Sequence, residues 1–405
     1  MESLFADTSD PAVLRTAKQT IVEGTYQLSP PAIQFDEAGM LHLAWFEKSS
    51  AQPTLKTVRI SSSGKVVGEA VQVNPVGVEP DALHQAPGLA AGVSDQVFMT
   101  WSSAKKDSGA IFAADLLLAR STDGGVTFER PASVNDDGQP INHSFESLVA
   151  DRQGHVFLAW LDNRSKEKSG AGAIFACSPD SGKSVGANLT IDGMACPCCR
   201  PMVTLAPDGS LWAAWRKTFD GNIRDVVLAR STDQGRTFSA PIRVRRDGWV
   251  FPACPHRGPA IAFDQFGRLY IGWYTEGTDE QPRLLFAISD DAGKTFSTPI
   301  SLHTSATSLP DQFRMAVHPD GAVVAVWEEV TGVRKRTVMR VSLDRGHTFG
   351  SVQTLSDGAK AETPAVAVHS NGTVALAWSE HAWPNNRLVV QIGMLGRTQK
   401  QPPSP

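Results

Sequence analysis

The chain has 405 residues, 41% of them hydrophobic and 20% charged, an ordinary globular balance. A formal net charge of -4 supplies no basic footprint of the kind nucleic-acid binding needs, and no apolar run approaches the ~18 residues of a membrane-spanning helix. Five cysteines in so long a chain cannot make a disulfide scaffold, so their placement matters more than their number.

The opening Met1-Glu-Ser-Leu-Phe-Ala-Asp7 lacks a basic stretch followed by an apolar one. The expectation is an exported protein, periplasmic or secreted, whose signal peptide has been removed; a cytoplasmic protein is the alternative. Residues 1–16 have no counterpart later in the chain and read as an N-terminal extension. Residues 17–396 read as a single domain, and 397–405, ending Gln401-Pro-Pro-Ser-Pro405, as a disordered tail.

Within that domain one plan recurs: an apolar strand, a polar turn with Gly, then a second apolar strand ending in Trp. The tryptophans are Trp45, Trp101, Trp160, Trp215, Trp273, Trp327 and Trp378, at intervals of 56, 59, 55, 58, 54 and 51 residues. A third strand follows each polar loop, then a tight turn and a short fourth strand. The turn carries Ser-x-Asp-x-Gly-x-Thr-Phe, complete at Ser121–Phe128, Ser231–Phe238, Ser289–Phe296 and Ser342–Phe349. It is degraded at Ser178–Val185 and faint around Ser61–Lys65. Ser and Asp bond their own backbone in such a turn, and Gly takes the positive-φ position.

Four strands repeated about every 50 residues predict an all-β fold, a β-propeller of four-stranded blades. Counting tryptophans gives seven blades, with six as the alternative. The last unit lacks a fourth strand, and Gln19-Thr-Ile-Val-Glu23 is expected to supply it, closing the ring.

Strand alternation puts the turns between third and fourth strands on one face and the loops leading into each first strand on the other. On that second face lie Met194-Ala-Cys-Pro-Cys-Cys-Arg-Pro201 and Phe251-Pro-Ala-Cys-Pro-His-Arg257. Seventeen residues before successive tryptophans stand His84, His143, Cys198 and His256, and two positions earlier Cys196 and Cys254. Thiolates and imidazoles at equivalent positions of a ring suit a soft or borderline ion, copper first and zinc second. The candidate ligands are Cys196, Cys198, Cys199, Cys254 and His256, with His143 and His84 further out. A Cys196–Cys254 disulfide and a redox role for the thiols are the competing readings. Cys177, within a third strand, reads as a core residue.

The repeated turn resembles the Asp-box, or BNR, repeat of sialidase-like β-propellers, over nearly the whole chain. That resemblance implies a carboxylated sugar held by arginines and attacked by a tyrosine paired with a glutamate. Arg200, Arg257 and Arg314, spaced 57 residues apart, and Tyr274 with Glu276 are the matching positions. The arginines fall in consecutive units, however, and the first unit begins Ser29-Pro-Pro-Ala32 without one. Metal handling or thiol redox chemistry is therefore the leading reading. A sialidase or other glycosidase is the first alternative, and a module presenting its loop face to a glycan or protein partner is the second.

Overall fold

The computed structural model describes residues 14–15, 17–48, 52–81, 85–105, 108–110, 112–164, 170–356 and 360–396. His84, residues 1–13 and the tail 397–405 lie outside them. Among the described residues every extended element is a β-strand, and Asp220–Asn222 forms a short 3-10 turn.

The tryptophan-bearing second strands are buried along most of their length, and Val156–Asp162 and Leu269–Thr275 at every position. They show no in–out alternation because neighbouring sheets cover both of their faces. All seven repeat tryptophans are at most 2% exposed. Several give their indole N–H to a nearby carboxylate, Trp160 to Asp162 at 3.1 Å and Trp378 to Glu380 at 2.8 Å. A buried indole keeps its donor satisfied in this way.

Among the described residues the strands form six hydrogen-bonded antiparallel sheets. Five hold four or five strands each; the sixth holds eight, because the Leu189–Ala195 strand bonds on to Leu211–Phe219 through the Ala195–Lys217 pair. The units are joined radially by apolar clusters that each span two neighbours. One brings Leu43 and Trp45 against Ala375 and Ile392, so the first and last units share a core. The first strands touch in ring order, Ala32–Phe35 against Gly88–Ala91 at one end and Leu309–Val317 against Ala361–Val368 at the other. Ala361–Val368 also touches Ala32–Phe35, and the circle closes.

The predicted closing strand is present: Gln19–Gly24 pairs antiparallel with Asn385–Met394 and completes the last sheet. Leu14 and Arg15, assigned from the sequence to the extension, also pair with that strand, opposite Met394 and Gly393. The Asp-box turns form as expected. Asp123 accepts from the Thr127 amide at 2.9 Å and its hydroxyl at 2.6 Å, while Gly125 donates to Ser121 Oγ at 2.9 Å. The degraded copy closes identically, Ser184 replacing Thr to reach Asp180 at 2.6 Å.

A buried three-thiol cluster beside an axial cavity

The loop Cys196–Arg200 leaves the fused sheet and turns back into Met202–Leu205. The Cys196 amide donates to Arg216 O at 2.8 Å, extending the strand pairing by one residue, and Cys199 N reaches back to Cys196 O at 3.4 Å. This turn gathers Cys196, Cys198 and Cys199, each under 5% exposed, with their sulfurs within 4.8 Å of one another. Cys196 Sγ and Cys198 Sγ are 3.9 Å apart. Among the described residues it is the one cluster of three or more such donors. All five cysteines are free thiols, so the anticipated Cys196–Cys254 disulfide is not formed.

Arg224, on the neighbouring third strand, points its Nη1 at Cys196 Sγ from 3.1 Å. Its Nε is buried without a hydrogen-bond partner. Hydrogen bonds from Cys198 and Cys199, then the Arg224 charge, hold the Cys196 thiol far below the usual thiol range. Its neighbours move the other way. The bond to Cys196 pushes Cys198 up, and burial pushes Cys199 up to about 12.

The other expected ligands are not brought to these sulfurs. His143 is fully buried, but its Nδ1 is 2.7 Å from Ala114 O and its Nε2 3.1 Å from Asp137, so both ring nitrogens are taken. Its strand begins at the histidine itself and pairs it with Asp162. Cys254 sits in the exposed run Pro252–Cys254, ahead of a first strand that starts only at Ala260. His256 is exposed, yet its ring lies 5.8 Å from Phe145, which packs on the three cysteines. Cys177 is half-buried in its strand, with its thiol pushed up to about 11 by burial.

Beside the cluster a cavity of about 370 Å³ opens on the ring axis. Pro30, Ala86, Phe145, Arg200, Gly258, Gln312 and Thr363 all line it. Each stands fifteen residues before its own unit's tryptophan, as Pro30 does before Trp45 and Thr363 before Trp378. Cys198, His256 and Arg314 face the same space. At Gly258 a β-carbon would come within 2.2 Å of Arg200 O, so only glycine lets this wall close on the cysteine loop. Arg200 Nη2 donates to Ala86 O at 2.8 Å, and Arg314 Nη1 to Phe313 O at 2.8 Å. Burial, and then the like charge of Arg200, hold Arg314 down at about 10. Glu146, in the adjoining strand, is held above the usual carboxyl range by burial.

Arg257, the third arginine of the set, is engaged elsewhere: its Nε is 3.1 Å from Asp311 and its guanidinium lies 4.0 Å over the Tyr274 ring. Tyr274 donates its hydroxyl to Glu276 at 2.5 Å. Burial, opposed by the Arg257 charge and reinforced by the bond to Glu276, raises the Tyr274 pKa. Arg257, Tyr274 and Asp311 line a small recess that adjoins the axial cavity and shares His256 and Arg314 with it. Arg216, buried at the joint, donates to Arg257 O at 3.0 Å and Tyr274 O at 2.7 Å and so ties the two regions together. Arg224 was invisible to sequence reading, because it meets Cys196 only through the register of strands 28 residues apart.

A family description of a BNR repeat-like domain matches residues 192–398. The chain belongs to the BNR repeat-like family. No curated protein matches the sequence. Among solved structures this BNR repeat-like chain is similar to a Hadza microbial sialidase at 15% identity and a TM-score of 0.52, over 87% of this chain and 73% of that one. It is similar to an α-L-arabinanase of Penicillium chrysogenum at 14% identity and 0.54, over 94% and 98%. It also matches an ulvan lyase at 9% identity and 0.58, over 93% and 96%. At such identities the likeness concerns the fold alone, which places the BNR repeat-like chain among sialidase-like propellers without a close catalytic relative.

Proposed function

We propose that this propeller, exported and built of seven blades, binds one soft metal ion at Cys196, Cys198 and Cys199, copper(I) in preference to zinc. The carrying observation is the trio of buried sulfurs within 4.8 Å of one another, under a guanidinium. Sulfurs sharing one ion at bonds of ~2.3 Å lie about 4 Å apart, and the Cys196–Cys198 separation is 3.9 Å. Three thiolates complete a trigonal site, which suits copper(I); zinc prefers a fourth ligand. Arg224 offsets part of the thiolate charge, and its unpartnered Nε is free to serve a more anionic cluster. The blade count rests on the seven axial positions and on the fused sheet, whose eight strands divide into two tryptophan units. The role is handling or sensing of the metal.

The test is elemental analysis of anaerobically purified and copper(I)-reconstituted protein. The parent is expected to hold about one equivalent and a Cys196→Ser/Cys198→Ser/Cys199→Ser variant none; a parent that stays empty after reconstitution overturns the reading.

One observation favours a second reading, a glycan-active site: the Tyr274–Glu276 hydrogen bond beneath Arg257. Release of a fluorophore from a sialoside, lost in Tyr274→Phe, is its expected signature. A module that presents the loop face to a glycan or protein partner keeps no specific support beyond the fold.

A further inference from the structure

The axial cavity holds two arginines whose nearest carboxylates, Glu146 for Arg200 and Glu328 and Asp311 for Arg314, act on them without a direct ion pair among the described residues. Among the described residues Arg200 bonds only the neutral oxygens of Gln85 and Ala86, and Arg314 only a main-chain carbonyl. Two guanidinium groups facing one cavity attract a counter-ion. Arg257, by contrast, is neutralised by Asp311 and is not part of this pair. The same cavity exposes Cys198, whose sulfur is 3.9 Å from Cys196, and its volume of about 370 Å³ equals that of roughly a dozen waters. A binding place for anions and the lip of a buried thiol cluster therefore share one wall.

We infer that the axial cavity receives the metal as a small anionic complex, held by Arg200 and Arg314 while Cys198 takes the ion from it. The inference rests on the metal reading above and names the chemical form in which the metal arrives: a monovalent soft ion carried by anionic sulfur or carboxylate ligands. The exchange is a ligand substitution. A metal–Cys198 sulfur bond forms as a metal–carrier bond breaks, the Cys198 proton passes to the released ligand or to solvent, and no electron moves. As the remaining carrier bonds break the ion gains Cys196 and Cys199, and any proton those sulfurs carry leaves by the same route. A free cation would be repelled at the same mouth, so the arginines also select against unligated metal.

Stopped-flow uptake of copper(I), followed by sulfur-to-copper charge-transfer absorption under anaerobic conditions, tests this with two donors: the anionic thiosulfate complex and the cationic acetonitrile complex. An Arg200→Gln/Arg314→Gln variant is expected to load from thiosulfate at least about tenfold more slowly than the parent. Loading from the acetonitrile complex is expected to be no slower, and both proteins to finish at the same copper content, which also reports that the variant is folded. Arg314→Gln alone, which leaves the cysteine loop untouched, is expected to show the same preference in smaller degree. Equal thiosulfate rates in parent and variants overturn the inference while leaving the metal site standing. A parent that takes copper from neither donor overturns both.

Discussion

At Cys196 a guanidinium nitrogen lies 3.1 Å from the sulfur, and two further thiols converge on the same atom. A residue that orients and charges a ligand in this way typically accounts for ten- to a hundredfold in metal affinity. Arg224→Gln is therefore expected to weaken copper(I) binding by about that factor in competition with a chromophoric chelator, with stoichiometry preserved. The cysteine segment itself was legible in the sequence, because clustered thiols in a cysteine-poor chain are informative wherever they fall. Its ligand set was legible only in part. Equivalence of repeat position grouped His143 and Cys254 with the thiols, but that argument assumes every unit enters its first strand alike. It does not: one strand starts at His143, whereas in the unit of Cys254 the exposed run Pro252–Cys254 precedes a strand that begins only at Ala260. Arg224 depends on pairing between strands, which spacing along the chain does not reveal.

Among the elements, the Asp-box turn is the one whose chemistry can be read residue by residue. Hydrogen bonds from the threonine side chain and backbone hold Asp233 and Asp291 down at about 2; at Asp123 burial is the largest single influence and pulls upward, but the bonds from Ser121, Thr127 and Val126 together outweigh it and the value is again about 2. A carboxyl whose folded pKa is depressed contributes stability above its unfolded value of 3.8, and that contribution is lost as pH falls toward 2. Thermal unfolding followed across that window is expected to show the melting temperature falling, with a shallower fall in an Asp233→Asn/Asp291→Asn variant. An equal fall in parent and variant would assign the acid sensitivity to other carboxyls. The turns were readable because Ser, Asp, Gly and Thr bond only within eight residues of chain. The β-bulges of the first strands, with Phe145, Gln312 and Thr363 at positive φ, were not. They arise where the strands crowd the axis, and they aim these residues into the cavity.

Over the whole molecule, the ring is held by cores shared between neighbours and by one strand borrowed from the other end of the chain. Gln19–Gly24 hydrogen-bonds along Asn385–Met394, and Ile21 and Val22 pack into the cluster that joins first and last units. Deleting residues 17–24 is expected to lower the melting temperature of the entire protein in one cooperative transition, seen by calorimetry. A separate low-temperature transition confined to the last sheet would instead show that the ring tolerates an open seam. Closure was foreseeable from the sequence because the last unit visibly lacked a strand.

The Ala195–Lys217 pair, with Cys196 N bonded to Arg216 O, stitches two units into one sheet at the root of the cysteine loop. Single main-chain bonds also link other units, as Gln265 N to Pro319 O does, but here strand pairs with strand and the two units are riveted through the main chain. Breathing between blades, the usual leak from a buried site in such a ring, is closed off at the one seam that borders the thiols. An ion seated there would have to leave by the axial mouth, so its residence time would be governed by the cavity and not by fluctuations of the fold. Amide exchange at Cys196, slow whether or not metal is bound, would be the mark of that rivet.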